Sequence, residues 1–101
     1  MAQPRGQRVV ATLPVSLDGR TAALSTDISR EGFCLETPAL LYPGTVVKGT
    51  VLHGPLSLAF VGRVAWTKAG DPRACTWHRI GVKFEQLSPG LRALLGLTMR
   101  S

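Results

Sequence analysis

Apolar and polar residues alternate with a period of two along most of the chain, the pattern of strands that bury one face. From Val9 to Leu17 the odd positions are Val9, Ala11, Leu13, Val15 and Leu17, with Thr12, Pro14 and Ser16 among the positions between them. Asp18-Gly19 supplies the pair that a type I′ turn favours. The return strand, from about Arg20 to Ile28, is predicted to place Ala22, Leu24 and Ile28 on one face and Thr21, Ser25 and Asp27 on the other. A polar turn at Ser29 to Gly32 leads to a short third strand in which Phe33 and Leu35 alternate with Cys34 and Glu36. Tyr42-Pro43-Gly44 breaks the chain before Thr45 to His53, where the alternation is weaker, and Gly54-Pro55 turns it again. The longest pattern follows: Leu56, Leu58, Phe60, Gly62, Val64 and Trp66 on one face, with Ser57, Ala59, Arg63 and Thr67 on the other. A strand of this length must bend, and Gly62 is where a curling sheet folds over. Beyond Ala69-Gly70-Asp71-Pro72, a last strand from about Trp77 to Glu85 points Ile80, Val82 and Phe84 inward and Arg79, Lys83 and Glu85 outward.

The periodicity then changes. Ser88-Pro89 is an N-cap followed by proline at the first helical position, and Leu91, Leu94, Leu95 and Met99 fall at helical spacing. Gly90 and Gly96 each weaken such a helix by about 1 kcal/mol relative to alanine, so its leucines must dock on the sheet for it to persist. The chain is therefore expected to be all-β, a small six-stranded antiparallel barrel with one C-terminal α-helix. Residues 1–8 read as a flexible arm and residues 9–99 as the barrel with its helix.

Length and composition narrow the function classes. The chain has 101 residues, enough for one core. The N-terminal residues lack the apolar run of a signal peptide and no segment approaches the length of a membrane span, so a cytoplasmic location is expected. Cys34 and Cys75, with His53 and His78, show no metal or disulfide spacing and read as ordinary strand or loop residues. Nothing in the pattern supports catalysis, and no cofactor or metal is expected. Nine arginines and three lysines face six acids, for a net charge of +6 and an isoelectric point near 10.4. That balance favours an anionic partner, and the preponderance of arginine favours planar recognition of phosphate or guanine.

Two polar segments interrupt the apolar alternation: Arg5-Gly6-Gln7-Arg8 ahead of the first strand, and Asp27-Ile28-Ser29-Arg30-Glu31-Gly32 between the second and third. Arginine stacks on purines, pairs with phosphate, and donates a fork to guanine O6 and N7. An ionised Asp27 accepts from the N1–H and N2–H₂ donors on guanine's other edge. Ser29 adds a hydroxyl and Gly32 permits close backbone approach. Together these groups suit a small anionic guanine nucleotide. The same Asp-x-Ser-x-x-Gly pattern also suits a turn stabilised by its own side chains.

The residues resemble those of the PilZ domain family, bacterial receptors for cyclic-di-GMP. Asp27-Ile28-Ser29-Arg30-Glu31-Gly32 matches the family's D/N-x-S-x-x-G motif. Arg8-Val9 with Leu13-Pro14-Val15 is similar to its arginine-led first strand, and Gly32-Phe33-Cys34-Leu35 to its third. Gly62-Arg63-Val64-Ala65-Trp66 and Gly81-Val82-Lys83-Phe84 are similar to its last two strands. The resemblance spans about residues 5 to 98. It implies a split-barrel fold with cyclic-di-GMP on the outer surface, held by Arg5, Arg8, Asp27, Ser29 and Gly32, and an effector protein in motility, pilus or exopolysaccharide machinery as partner. One departure is evident: aligning the second arginine of the family's R-x-x-x-R motif on Arg8 puts Pro4 where the first should stand, with Arg5 one residue late. Residues three apart in an extended segment lie on opposite faces, whereas residues four apart share one.

Two readings follow from that departure. In the first, the domain binds cyclic-di-GMP and thereby switches a partner. In the second, it is a protein-interaction adaptor for motility or type IV pilus machinery that has lost the nucleotide. A nucleic-acid-binding barrel is disfavoured because most of the six aromatics occupy inward positions, whereas stacking platforms need exposed ones. Trp66 ends an apolar stripe and is expected in the core. Trp77 has the opposite parity to Ile80, Val82 and Phe84; it is either exposed to a partner or packed beneath the helix.

Overall fold

The computed structural model describes residues 9–74 and 76–98. Its strands are β1 (Val9–Val10), β2 (Pro14–Leu17), β3 (Thr21–Ile28), β4 (Gly32–Thr37), β5 (Val46–His53), β6 (Leu56–Lys68) and β7 (His78–Leu87), followed by helix α1 (Pro89–Thr98). All pairings are antiparallel. The order β3-β2-β5-β6-β7-β4 closes on itself through a β3–β4 pairing, giving the expected six-stranded barrel. β1 adds to β3 beyond the end of β2.

The first turn forms as its residues require: Asp18 and Gly19 both take positive φ, 54° and 68°, and Arg20 N–H donates to the Leu17 carbonyl over 3.0 Å. The barrel is filled from β2 to β7, by Val15 and Leu17, Ala23 and Ile28, Phe33 and Leu35, Val47 and Val51, Leu58, Phe60 and Val64, and Ile80 and Val82. Phe33, Phe60 and Phe84 form an aromatic cluster with ring centroids 4.8–6.0 Å apart. Ser88 caps α1 by accepting Leu91 N–H over 3.2 Å, and the helix buries Leu91 and Leu95 against the barrel. Met99 and Cys75 lie outside the described residues.

Three departures from strict alternation have one cause, a single extra residue in a strand, which flips every side chain beyond it to the other face. The continuous first strand expected from Val9 to Leu17 is broken over Ala11 to Leu13, where its register against β3 slips by one. Ser25, 1% exposed, fills the break: its hydroxyl accepts Leu13 N–H at 2.8 Å and donates to the Ala11 carbonyl. In β3 the register against β4 shifts between Ser25 and Asp27. The buried positions are consequently Ala23, Ser25 and Ile28, while Ala22 and Leu24, expected inside, face solvent. Between β6 and β7 the register shifts twice: at Val61/Gly62, where the unpaired residue is Glu85 of β7 and the inward run Leu58, Phe60, Gly62 and Val64 of β6 continues, and between Val64 and Trp66, where it is Ala65 of β6. The second of these turns Trp66 out of the core, leaving it 45% exposed. Leu56, also expected inside, is exposed beside the β5–β6 turn.

Candidate functional site

The Asp-x-Ser-x-x-Gly segment is the corner joining β3 to β4. Ser29 is fully buried, and its hydroxyl is committed to the corner. It donates to the Gly32 carbonyl at 3.1 Å and accepts the N–H groups of Glu31 and Gly32 at 3.2 and 3.3 Å. Ser29 N–H also donates to the Gly32 carbonyl, over 2.8 Å. Gly32 is required for packing: a Cβ there would overlap the Val82 carbonyl of β7. The close backbone approach expected at Gly32 is thus made to the neighbouring strand. These two residues shape the corner, and Asp27, half-buried, stands at its edge opposite Val10 of β1. Arg5 and Arg8 lie outside the described residues; in sequence, Arg8 directly precedes β1.

Strand register extends the site away from the corner. Asp27 pairs with Cys34, Cys34 with Gly81, and Gly81 with Trp66, which makes a row of outward positions across β3, β4, β7 and β6. At about 4.8 Å per strand, the row spans roughly 14 Å along the sheet. Trp66 lies flat because Gly81 lacks a side chain; a Cβ there would run into the indole. Glu31, Gly32, Ala65, Trp66, Gly81 and Lys83 border a surface groove of about 260 Å³.

The flanking rows are basic. Glu36, Arg79 and Lys68 lie on one side of the Asp27–Trp66 row, and Gly32, Lys83 and Arg63 on the other. Arg79 reaches over the buried Cys34 sulfur at 3.9 Å. Arg63 pairs with Glu85 at 3.0 Å and donates to the Gly44 carbonyl at 3.0 Å. The outer face therefore combines an exposed indole, a carboxylate and several cations, the groups that stack on, hydrogen-bond and neutralise a nucleotide. Sequence reasoning missed Trp66, because strict alternation put it inside and no residue announces the extra one before it. The one available signal was Gly81, a glycine in an otherwise apolar strand, which commonly marks close approach by another group.

Trp77 is 43% exposed, in accord with its parity, and stands at the end of the β6–β7 loop. His78 Nδ1 accepts Gly70 N–H over 2.8 Å, so it serves the loop, and His53 is exposed at the end of β5. Among the described residues no cluster of three histidine, cysteine or carboxylate side chains is placed to hold a metal. No helix among them is long and apolar enough to cross a membrane.

Six antiparallel strands thus close into a barrel that carries the motif corner on its outer face and is followed by a C-terminal helix. The PilZ domain model matches residues 2–99, and the chain belongs to that family, whose members are receptors for cyclic-di-GMP or adaptors. Its fold is similar to that of the Bacillus subtilis inhibitor of motility MotI/DgrA, with a TM-score of 0.77 and 18% sequence identity. The match covers 97% of this chain and 50% of that one, so the chain spans about half that protein's length. No curated protein sequence matches the chain.

Proposed function

We propose that the domain is a cytoplasmic receptor for cyclic-di-GMP that switches an effector protein. The observation that carries this reading is the β3–β4 corner: Ser29 and Gly32 fix its backbone, so Asp27 is held at its edge, in line with Trp66 across the outer face. Residues 1–8 are the arm that precedes β1, and it carries Arg5 and Arg8. Arg5 and Arg8 close over the ligand from this arm. Asp27 accepts from the Watson–Crick edge of one guanine, and Ser29 and Gly32 hold the corner against the ligand. Trp66 offers a stacking surface, with Lys83 and Arg79 beside it for phosphate. Ordering of the arm then creates or hides the surface that the effector reads.

The test is calorimetry of the purified chain with cyclic-di-GMP at near-physiological salt, with GMP as control. Saturable heat abolished by Arg8→Ala and weakened by Asp27→Ala is expected; absence of heat at tens of micromolar ligand would sink the receptor reading.

Pro4 in place of the first motif arginine, together with Trp77, Tyr42 and Leu40 exposed on loops, supports the second reading, an adaptor that has lost nucleotide binding. The fold similarity to a protein named as an inhibitor of motility supports motility machinery as the partner of such an adaptor. Capture of one partner with equal yield in the presence and absence of nucleotide favours the adaptor.

A further inference from the structure

A larger cavity borders the same corner. Arg30 from the β3–β4 turn, Leu87 at the end of β7, and Arg92, Leu95 and Gly96 from α1 surround a space of about 530 Å³, within the range of small-molecule sites. Arg30 and Arg92 belong to elements far apart in sequence yet border one space, and Leu87 and Leu95 are the apolar side chains that line it with them. Two guanidinium groups beside apolar side chains suit a phosphate joined to a flat or apolar body.

Chain direction ties this cavity to the receptor site. Val9 pairs with Ile28; Arg8 comes one residue before Val9, and Arg30 two residues after Ile28. The arginine arm and the cavity therefore attach at the same end of β3. The far wall is α1, whose hold on the barrel rests largely on Leu91 and Leu95 and whose two glycines lower its intrinsic stability.

We infer that Arg30 and Arg92 form a phosphate-binding pair for the dinucleotide, so that its binding ties the β3–β4 corner to α1. This rests on the receptor reading and adds to it a direction for the signal, from ligand to helix.

The experiment is calorimetry with cyclic-di-GMP on the wild-type chain, Arg92→Ala and Arg92→Lys, together with amide hydrogen exchange of α1 with and without nucleotide. Arg92 is exposed, so both variants are expected to fold with melting temperatures close to wild type. Arg92→Ala should weaken binding about tenfold or more, and Arg92→Lys less, since it keeps the charge and loses the fork. The α1 amides of the wild type should gain protection on binding, and those of Arg92→Ala should not. Unchanged affinity in Arg92→Ala, or no gain of helix protection in a wild type that binds, overturns the coupling and leaves the receptor intact. A wild type that binds no nucleotide overturns both.

Discussion

Replacing Ser29 by alanine separates what the motif serine does for the fold from what it does for a ligand. The hydroxyl is fully buried and takes part in three hydrogen bonds, two accepted and one donated. Losing the donated bond matters least, because the Gly32 carbonyl keeps the Ser29 N–H at 2.8 Å. Losing acceptance from Glu31 N–H is also modest, since that group is only partly buried and water can reach it. The Gly32 N–H is buried and loses the serine hydroxyl as its partner, and an orphaned buried donor costs about 1–3 kcal/mol. The sum is about 2–3 kcal/mol, a fall in melting temperature of roughly 10–20 °C for a domain of this size. Urea and thermal denaturation followed by circular dichroism measure it, with Ser57→Ala on the exposed face of β6 as the control, expected within about 0.5 kcal/mol of wild type. A Ser29→Ala melting temperature within two or three degrees of wild type would refute the hydrogen-bond reasoning.

Gly81→Ala should push the Trp66 ring off the sheet. In a Trp77→Phe background, tryptophan emission should shift to the red with a stability loss of about 1 kcal/mol; an unmoved spectrum would mean that the indole does not rest on Gly81. Ser88→Ala removes the cap of α1 and should lower stability by about 1 kcal/mol, seen as a lower urea midpoint with an unchanged slope.

Local chemistry was legible wherever the cause was local. The Asp18-Gly19 turn, the Ser88-Pro89 helix start, the inward set of Ile80, Val82 and Phe84 and the docked leucines of α1 all follow from residues within a few positions of one another. The faces of β3 and the fate of Trp66 were not legible, because each depends on one extra residue that only cross-strand register reveals. The same holds for the motif. Its spacing marks a corner, but the commitment of Ser29 to the turn and of Gly32 to Val82 depends on where β7 runs.

By itself the sequence determined the six strands that close the barrel, in chain order, the helix and the position of the motif corner, since alternation and turn chemistry act over short stretches of chain. Tertiary structure decided which residues share a surface: Asp27 in line with Trp66, Arg30 and Arg92 on one cavity, Ser25 plugging the break before β2. Those neighbours are set by barrel closure and by shifts of one residue between strands, which change the direction of a side chain without changing the composition around it.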